Sequence, residues 1–466
     1  MYEAMAKLKN RRYFLDIFLV LIILFFLPFY FYKLGQSSLT SFDEAWYAAI
    51  ANNLLKEGDV LRLFFNGNPF VDHPPFGIWM ISLSFKLFGV SNFTARFFQA
   101  VFGLLTLVTI YFLGKEMFSR KVGFFSSISL TSSYWFIYRA RSGNLDIFLV
   151  FFIYLSILLA YEIRKTKKLN ILPLLIASLA CLFLTKTAVP FVVVPLIVYL
   201  LSFGRARVNI YKTFLIVVLS AIPLLIWYLV QGTGSSFILD RFYKVAFPGI
   251  EKGTSVIQNL LLLKTYLRLG IGNWFWWGMF SIFMGLVVQW RRFLPVFIFT
   301  VSFLIPFILS NRFQIPHLIP IHPIIIISFF GLVDTLGESL KTKSFLVSLA
   351  MFCIFSAIAI PQLRRSWYEF VDIPAYVSDE QILSEEASKY SEMLMIDDEY
   401  LPAAVFYSGK DVNKIAKGVG KLKEFFDSNN NFILITSPWR LEEEKISVKT
   451  YRIIKRDRDK VLIQKI

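Results

Sequence analysis

The sequence predicts an α-helical polytopic membrane protein with about 11 transmembrane helices and a small C-terminal extracytoplasmic α/β domain. Composition is the first observation behind this prediction. Of the 466 residues, 56% are hydrophobic and only 17% are charged, with a mean hydropathy of +0.60. Soluble proteins have about 25% charged residues. The second observation is a series of apolar runs of about twenty residues, each long enough to cross roughly 30 Å of hydrocarbon as a helix.

The distribution of basic residues predicts the orientation of these helices. Four cations precede the first apolar run, roughly 13–32, so the N-terminus is expected in the cytoplasm. That run lacks a small-residue cleavage site and is expected to be a retained anchor. The other predicted spans cover roughly 94–114, 122–138, 144–162, 169–185, 188–203, 211–230, 271–289, 293–310, 317–333 and 344–361. Short basic links follow every second span, which leaves the C-terminus outside.

This topology divides the chain into a transmembrane domain, 1–361, and an extracytoplasmic soluble α/β domain, 362–466. The first has two long outward loops, 33–93 and 231–270, each with a predicted interfacial helix, over 76–90 and 256–269. An aromatic cluster at 274–277 is expected in the membrane interface. The expected elements of the soluble domain are a strand over 403–408, a helix over 412–426, a strand over 432–436 and a hairpin of 448–454 with 461–466.

Several classes of protein are disfavoured. The net charge of +17 does not indicate nucleic-acid binding, because the cations mostly stand in short links between apolar runs. Cys181 and Cys353 both fall inside apolar runs, so neither a disulfide nor a cysteine metal site is expected. The soluble domain has no nucleotide-binding glycine pattern, which argues against an ATP-driven transporter.

Two adjacent carboxylates, Asp43 and Glu44, stand in the first outward loop where a helical pattern begins. One interpretation is structural, since acidic residues at a helix start complement its dipole. The other is catalytic: one carboxylate acts as general base toward an acceptor and the other orients polar groups. The two roles are compatible, because a helix start is a rigid mount.

A second motif in the same loop is Asp72-His73-Pro74-Pro75. Prolines are common in the first turn of a helix, and His73 could serve there as a simple cap. Alternatively, Asp72 and His73 face a phosphate, either directly or through a divalent metal ion. A divalent metal ion held by Asp72 and His73 is therefore one of the two possibilities for this motif, and it is the one cofactor that the sequence suggests.

Further charged residues stand near the predicted outer membrane boundary. Arg139, Arg141 and Asp146 flank a point where the chain re-enters the membrane, and Lys186 lies between two apolar runs. The segment 311–317 adds more cations at the same boundary. Ionisable groups at membrane depth are costly and usually functional, although at helix ends they can extend to the interface cheaply. Both interpretations stay open for Lys186, and an anionic lipid headgroup would lie at this level.

At this point the sequence resembles a known family. Segments 41–47, 66–70 with 73–75, 87–91 with Arg96, 141–146, 184–186 and 312–323 look like the C-type glycosyltransferases of the protein O-mannosyltransferase and lipid A aminoarabinose transferase group. The resemblance implies an integral membrane enzyme that takes a sugar from a polyprenyl-phosphate carrier, with inversion, on the extracytoplasmic side. Two positions depart from the pattern: His73 replaces a lysine, and Thr187 stands where many members have glycine.

The resemblance also implies roles for single residues. Asp43 matches the catalytic or acceptor-orienting aspartate and Glu44 its partner. Independently of the resemblance, an anion near hydrocarbon needs cationic, hydrogen-bonding partners. The residues expected to bind the donor phosphate are Lys186, Arg141, Arg312 and His73, with Asp72, Asp146, Tyr47 and His317 in support.

The expected function is therefore transfer of a hexosyl or pentosyl group from a polyprenyl-phosphate-linked sugar donor to a lipid, protein or glycan acceptor of the cell envelope. The site faces membrane lipids at the cell (plasma/inner) membrane. The alternatives are a secondary transporter and a non-catalytic membrane protein of an envelope pathway. A transporter typically has internal repeats, and the sequence shows no clear one.

Overall fold

The computed structural model describes residues 17, 19–20, 23–203, 208–231, 255–309, 313–397, 401–416 and 418–466. In that part of the chain, six helices are long and apolar enough to cross a membrane: Asn92–Met117, Asp146–Thr166, Ile210–Val230, Trp274–Ile308, Ile315–Ser339 and Ser344–Asp372. The prediction of a helical polytopic membrane protein is confirmed. Arg312, the N-terminal cations and most of loop 231–270 lie outside the described residues.

The helices up to the second loop are α1 (23–31), α2 (Asp43–Glu57), α3 (Phe76–Phe88), α4 (Asn92–Met117), α5 (Arg120–Leu130), α6 (Tyr134–Ala140), α7 (Asp146–Thr166), α8 (Leu172–Phe183), α9 (Val194–Ser202) and α10 (Ile210–Val230). After it come α11 (Val256–Ile271), α12 (Trp274–Ile308), α13 (His322–Ser339) and α14 (Ser344–Trp367). A 3₁₀ segment, Ile315–Ile321, leads into α13. The helices expected over 76–90 and 256–269 are thus present as α3 and α11.

Helix α12 is too long for one crossing. Its 35 residues would extend about 52 Å as a straight helix, well beyond the hydrocarbon core. Gln289 breaks it with non-helical angles, φ −151° and ψ 70°, beside the basic link predicted between two spans. The aromatic cluster at its start is divided: Trp276 and Trp277 are exposed, but Trp274 is buried and its indole N–H donates to Ser132 Oγ at 2.9 Å. Trp274 is therefore a core residue and not part of an interfacial belt.

In the first outward loop, α2 begins at Asp43 and ends at Gly58, which takes the left-handed conformation with φ 78°. A short hairpin follows, β1 (Phe64–Phe65) and β2 (Asn68–Pro69), turning through Asn66 and Gly67 at positive φ. Two prolines then lead into α3, whose first amide, Phe76 N, donates to Leu184 O at 3.1 Å. That bond brings the start of α3 next to the segment that carries Lys186.

The C-terminal part contains a five-stranded sheet in the order β4-β3-β5-β7-β6. Its strands are β3 (Met393–Ile396), β4 (Val412–Lys414), β5 (Phe432–Thr436), β6 (Tyr451–Asp457) and β7 (Lys460–Lys465). β3 pairs in parallel with β4 and β5, and β7 pairs antiparallel with β5 and β6. Its helices are α15 (Asp379–Ala387), α16 (Leu401–Ser408), α17 (Lys421–Ser428) and α18 (Pro438–Glu443).

Two secondary-structure predictions for this sheet are confirmed and two are wrong. The strand at 432–436 and the terminal hairpin are present. The segment 403–408 is helix α16 and not a strand, because Pro402 in the first turn and two alanines after it favour a helix. The segment 412–426 begins as strand β4, and its helix starts only at Lys421, after Gly418 and Gly420 at positive φ.

The C-terminal part of the chain packs on the segment Ser37–Ser41, which leads into α2, through residues before α15 and through α16. Ser38 Oγ accepts from Ser378 N at 2.8 Å, and its own amide donates to Tyr376 O at 3.0 Å. The hydroxyl of Tyr407, on α16, accepts from Leu39 N at 2.7 Å and donates to Asn92 at 2.9 Å. The backbone just before the acidic pair is therefore fixed by the C-terminal part of the chain.

Candidate active site

Glu44 and Arg96 form a buried bidentate ion pair. Arg96 Nε and Nη2 donate to the two carboxylate oxygens of Glu44, both at 2.8 Å. The same carboxylate accepts from Gly143 N at 2.6 Å and from Thr40 N at 2.9 Å. The remaining N–H groups of Arg96 donate to backbone carbonyls at positions 34, 37 and 38. This pair therefore holds the loop before α2 against α4 and against the turn before α7.

The environment of Glu44 keeps it ionised. Burial alone would raise the pKa of the carboxyl, but the Arg96 guanidinium and the two backbone N–H donors lower it below the usual 4.5. Glu44 is only 3% exposed, with four donors around its two oxygens. Such a group is poorly placed to take a proton from a substrate, and the geometry suits an orienting role.

Asp43, unlike Glu44, is accessible to solvent. Its side chain is 46% exposed, and its Oδ2 accepts from Arg139 Nη1 at 3.2 Å. Asp43 is the first residue of α2, where a negative charge also complements the helix dipole. Of the two adjacent carboxylates, Asp43 is thus the one that a substrate can reach.

A chain of alternating charges extends from Asp43 toward the membrane helices. Arg139 Nε lies 3.4 Å from Asp146 Oδ2, and Lys186 Nζ donates to Asp146 Oδ1 at 2.5 Å. Asp146 is the first residue of α7, and its amide is capped by Asn144 Oδ1 at 3.1 Å. His317 lies close enough to Lys186, Asp146 and Arg139 to interact electrostatically with them. Residues from four parts of the sequence therefore meet at one site.

The second motif of the first loop borders the same site. Tyr47, one turn after Asp43 on α2, lies with its ring centroid 5.9 Å from that of His73. Burial, followed by the charges of Asp43 and Asp146, raises the pKa of Tyr47 well above 10, and Asp72 acts in the same direction. Asp72 and His73 therefore stand close to Tyr47, which lies on the same helix as Asp43.

Arg141 binds backbone carbonyls at the end of α1 instead of the acidic residues of the site. Its guanidinium donates to Phe29 O and to Tyr32 O, the latter at 2.7 Å, and it lies over the rings of Phe29 and Phe370. Because Arg139 and Arg141 are two residues apart at the end of α6, their side chains take opposite directions. The structure therefore places Arg139, and not Arg141, beside the Asp146–Lys186 pair.

Arg139 was missed as a phosphate-binding candidate, and its signal in the sequence was only its position beside the re-entry point. Arg96 is part of the family resemblance, and nothing in the sequence pairs it with Glu44.

The side chains at the site are poorly suited to bind a divalent metal ion. Among the described residues, no group of three or more His, Cys, Asp or Glu side chains lies close enough together to hold a metal ion. Asp43 and Asp146 are both engaged by cations, Arg139 and Lys186. The residues at the site therefore do not fit a metal ion with three protein ligands.

Comparison with known proteins agrees with the sequence resemblance. Residues 72–228 match the family described as dolichyl-phosphate-mannose-protein mannosyltransferase. An uncharacterized protein of Aquifex aeolicus is 35% identical over 196 residues, which is 41% of this chain and 39% of that protein. The undecaprenyl phosphate-alpha-4-amino-4-deoxy-L-arabinose arabinosyl transferase of Aeromonas hydrophila is 33% identical over 38% of this chain and 34% of its own length. The match thus spans well under half the length of these curated relatives.

The similarity in fold to solved structures covers more of the chain than the similarity in sequence. The crystal structure of ArnT from Cupriavidus metallidurans in the apo state has a TM-score of 0.72 at 17% identity, covering 96% of this chain and 97% of that one. The archaeal oligosaccharyltransferase AglB from Archaeoglobus fulgidus has a TM-score of 0.59 at 13% identity, covering 91% and 69%. Taken together, the family match over residues 72–228 and the shared fold support the resemblance to the C-type glycosyltransferase group of membrane proteins.

Proposed function

We propose that this protein is an integral membrane glycosyltransferase that moves a sugar from a polyprenyl-phosphate carrier to a cell-envelope acceptor, with inversion, on the extracytoplasmic face. The donor carries a pentosyl or hexosyl group, and the acceptor is a lipid, a protein or a glycan. The ArnT structure bound to undecaprenyl phosphate, at a TM-score of 0.72, supports a polyprenyl-phosphate donor. The arabinosyl transferases among the relatives support the transfer reaction.

One observation carries the proposal: a half-exposed carboxylate, Asp43, is oriented by Arg139 beside the Asp146–Lys186 pair. In the reaction, the acceptor nucleophile attacks C1 of the sugar from the face opposite the phosphate. The bond between C1 and the phosphate oxygen breaks, and polyprenyl phosphate leaves with the bonding electrons. Asp43 takes the proton that the acceptor loses. Glu44 positions Asp43 through Arg96 and does not itself touch the substrate.

The donor phosphate is assigned to Lys186 and Arg139. Each cation already faces a carboxylate, so the two cations and the two aspartates balance to zero charge. A bound phosphodiester therefore shares Lys186 and Arg139 with Asp43 and Asp146 through charge-assisted hydrogen bonds. His73 and His317 border this position. Arg312, outside the described residues, is proposed to supply the additional positive charge.

The proposed topology has eleven spans, with the N-terminus in the cytoplasm and the C-terminal sheet outside. The break of α12 at Gln289, beside Arg291 and Arg292, supports two crossings in that stretch. Protease accessibility of tags at the two ends, measured in intact cells, tests the parity. Cleavage of only the C-terminal tag is expected, and protection or cleavage of both tags would contradict an odd number of spans.

The function itself is tested with purified protein in lipid nanodiscs. The protein is incubated with a set of polyprenyl-phosphate sugars, each with a radiolabel in the sugar, and with an extract of envelope lipids and glycans. Release of one label from its carrier, and its appearance in an acceptor, is the expected result. No loss of label from any carrier, by protein that is folded and monodisperse, would contradict the proposal.

A further inference from the structure

Helix α6 carries Arg139, which joins Asp43 to Asp146, and this helix has only seven residues. So short a helix is marginal by itself, and contacts with its neighbours must therefore set its position. Arg139 leaves little room for error, because its contacts with Asp43 and Asp146 are 3.2 and 3.4 Å long, near the upper limit for a hydrogen bond. A shift of α6 by about half an ångström would lose at least one of them.

The start of α6 is fastened to other helices by two adjacent serines. Ser132 Oγ accepts from the indole N–H of Trp274 at 2.9 Å. Ser133 Oγ and Nδ1 of His322, the first residue of α13, share a hydrogen bond of 2.8 Å. Ser133 is the N-cap residue of α6, but its hydroxyl bonds to His322 instead of capping the helix. The hydroxyl therefore fixes α6 to α13.

His322 is a costly residue at this position. Its side chain is fully buried, and its Nε2, which faces Gly270, has no hydrogen-bond partner among the described residues. Burying an imidazole with one nitrogen unpaired costs free energy that an apolar side chain of similar size would avoid. The one contact that an apolar side chain could not make is the bond to Ser133. We therefore expect this bond to serve the site more than the stability of the fold.

The position of His322 is itself fixed relative to α7. The hydroxyl of Tyr154, on α7, donates to Pro320 O at 2.7 Å and accepts from Ile324 N at 3.1 Å. These two bonds lie on either side of His322 in the sequence. Because α7 begins with Asp146, a continuous chain of contacts runs from the helix of that aspartate through His322 to α6.

We propose that His322 and Ser133 are positioning residues, whose hydrogen bond holds α6 where Arg139 reaches both aspartates and the donor phosphate. Neither of the two side chains touches the substrate. The proposal rests on the proposed function for the role of Arg139. It gives a task to a buried histidine that the reaction itself does not use.

The test is the affinity of the protein in lipid nanodiscs for undecaprenyl phosphate, measured by native mass spectrometry, which needs no turnover. Ser133→Ala should bind this carrier about three- to tenfold more weakly, which is part of the roughly 10- to 150-fold that a charge-assisted hydrogen bond is worth. His322→Asn places an amide where Nδ1 stood and should bind nearly as well as the unmodified protein. His322→Gln places the amide at the position of Nε2 and should bind as weakly as Ser133→Ala.

Ser202→Ala is the matched control. Ser202 Oγ donates to Oγ1 of the buried Thr213 at 2.9 Å and joins α9 to α10, neither of which carries a residue of the site. This variant also removes a serine hydroxyl that links two helices, so it should lose stability while its affinity for the carrier stays unchanged. Equal affinities in Ser133→Ala and Ser202→Ala would mean that the His322–Ser133 bond is merely structural.

A double variant tests whether the bond acts through Arg139. Arg139→Gln alone should weaken binding of the carrier, and Ser133→Ala added to it should cause no further loss, because the positioned group is gone. Independent losses in the double variant, or equal affinities in His322→Asn and His322→Gln, would overturn the positioning role. If the unmodified protein binds the carrier but transfers no sugar, the proposed function fails and these affinities still decide the positioning role. If it does not bind the carrier, both fail.

Discussion

Replacing Glu44 by glutamine tests whether the buried ion pair holds the site together. Glutamine keeps the shape but turns one of two acceptor oxygens into an NH₂ group, which then faces the donors that the carboxylate accepted. Removing one partner of a buried pair typically costs about 3–5 kcal/mol, because the other charge is left without compensation. Arg96 keeps three bonds to backbone carbonyls, so the expected cost lies near the lower end of that range.

The chain offers a matched control in a second Arg–Glu pair of the same length. Arg292 Nη1 and Glu338 Oε2 are also 2.8 Å apart, but the side chains are 34% and 52% exposed. Breaking such a pair by Glu338→Gln is expected to cost about 0–1 kcal/mol. The free energies of unfolding are compared by denaturant titration in mixed micelles. If Glu44→Gln is as harmless as Glu338→Gln, the structural role assigned to Glu44 is wrong.

The Glu44–Arg96 pair predicts that the stability of the folded protein depends on pH. The pKa of Glu44 is lower in the folded protein than its usual 4.5, so its contribution to stability is fully present above that pH. It is lost as the pH falls below 4.5 and through the folded value. Glu44→Gln should therefore lose stability at neutral pH and show a shallower decline on the acid side. A decline as steep as that of the unmodified protein would contradict this assignment.

Two further predictions concern the surroundings of Asp43. Changing Lys186 to Met should reduce kcat/KM for the donor by a factor equivalent to roughly 1.5–3 kcal/mol, mainly through a higher KM. Adding Asp146→Asn to the Lys186→Met protein should not restore kcat/KM. Full recovery in the double variant would mean that Lys186 serves only to neutralise Asp146. Tyr407→Phe removes the hydroxyl that links Leu39 to Asn92. The substitution should lower the free energy of unfolding by about 1–3 kcal/mol and lower kcat, with little change in the KM for the donor. Unaltered stability and kcat would show that α16 does not fix the segment before α2.

Much of the site could be predicted because its residues stand at helix ends that the charge pattern predicts to face outward. Asp43 begins α2, Asp146 begins α7 and Lys186 follows α8, so a topology derived from cations alone places all three at one membrane face. Their types then predict an anion site there. The structure brings Asp43, Asp146 and Lys186 together within one chain of charges that includes Arg139.

The choice between Arg139 and Arg141 could not be made from the sequence. They alternate at the end of a helix of only seven residues, and nothing local determines which one faces Asp43. That is decided by the carbonyls of Phe29 and Tyr32, more than a hundred residues away, which bind Arg141. The partnership of Glu44 with Arg96 is long-range in the same way.

Helix α16 was mispredicted for a local reason. Six consecutive residues, 403–408, are mostly apolar, which is compatible with either a buried strand or a buried helix. The proline before them and the two alanines were the signals that favour a helix. The strand β3 was missed because its four residues, Met393–Ile396, give too short a pattern to stand out.

The central claim is that Asp43 acts as the base in sugar transfer, and one measurement tests it most directly. Single-turnover transfer from a labelled polyprenyl-phosphate sugar is compared for the unmodified protein, for Asp43→Asn and for Glu57→Gln, an exposed acid at the other end of the same helix. We expect Asp43→Asn to lower the rate by about 10²- to 10⁴-fold with donor affinity little changed, and Glu57→Gln to have no effect. Near-native turnover in Asp43→Asn would contradict the account.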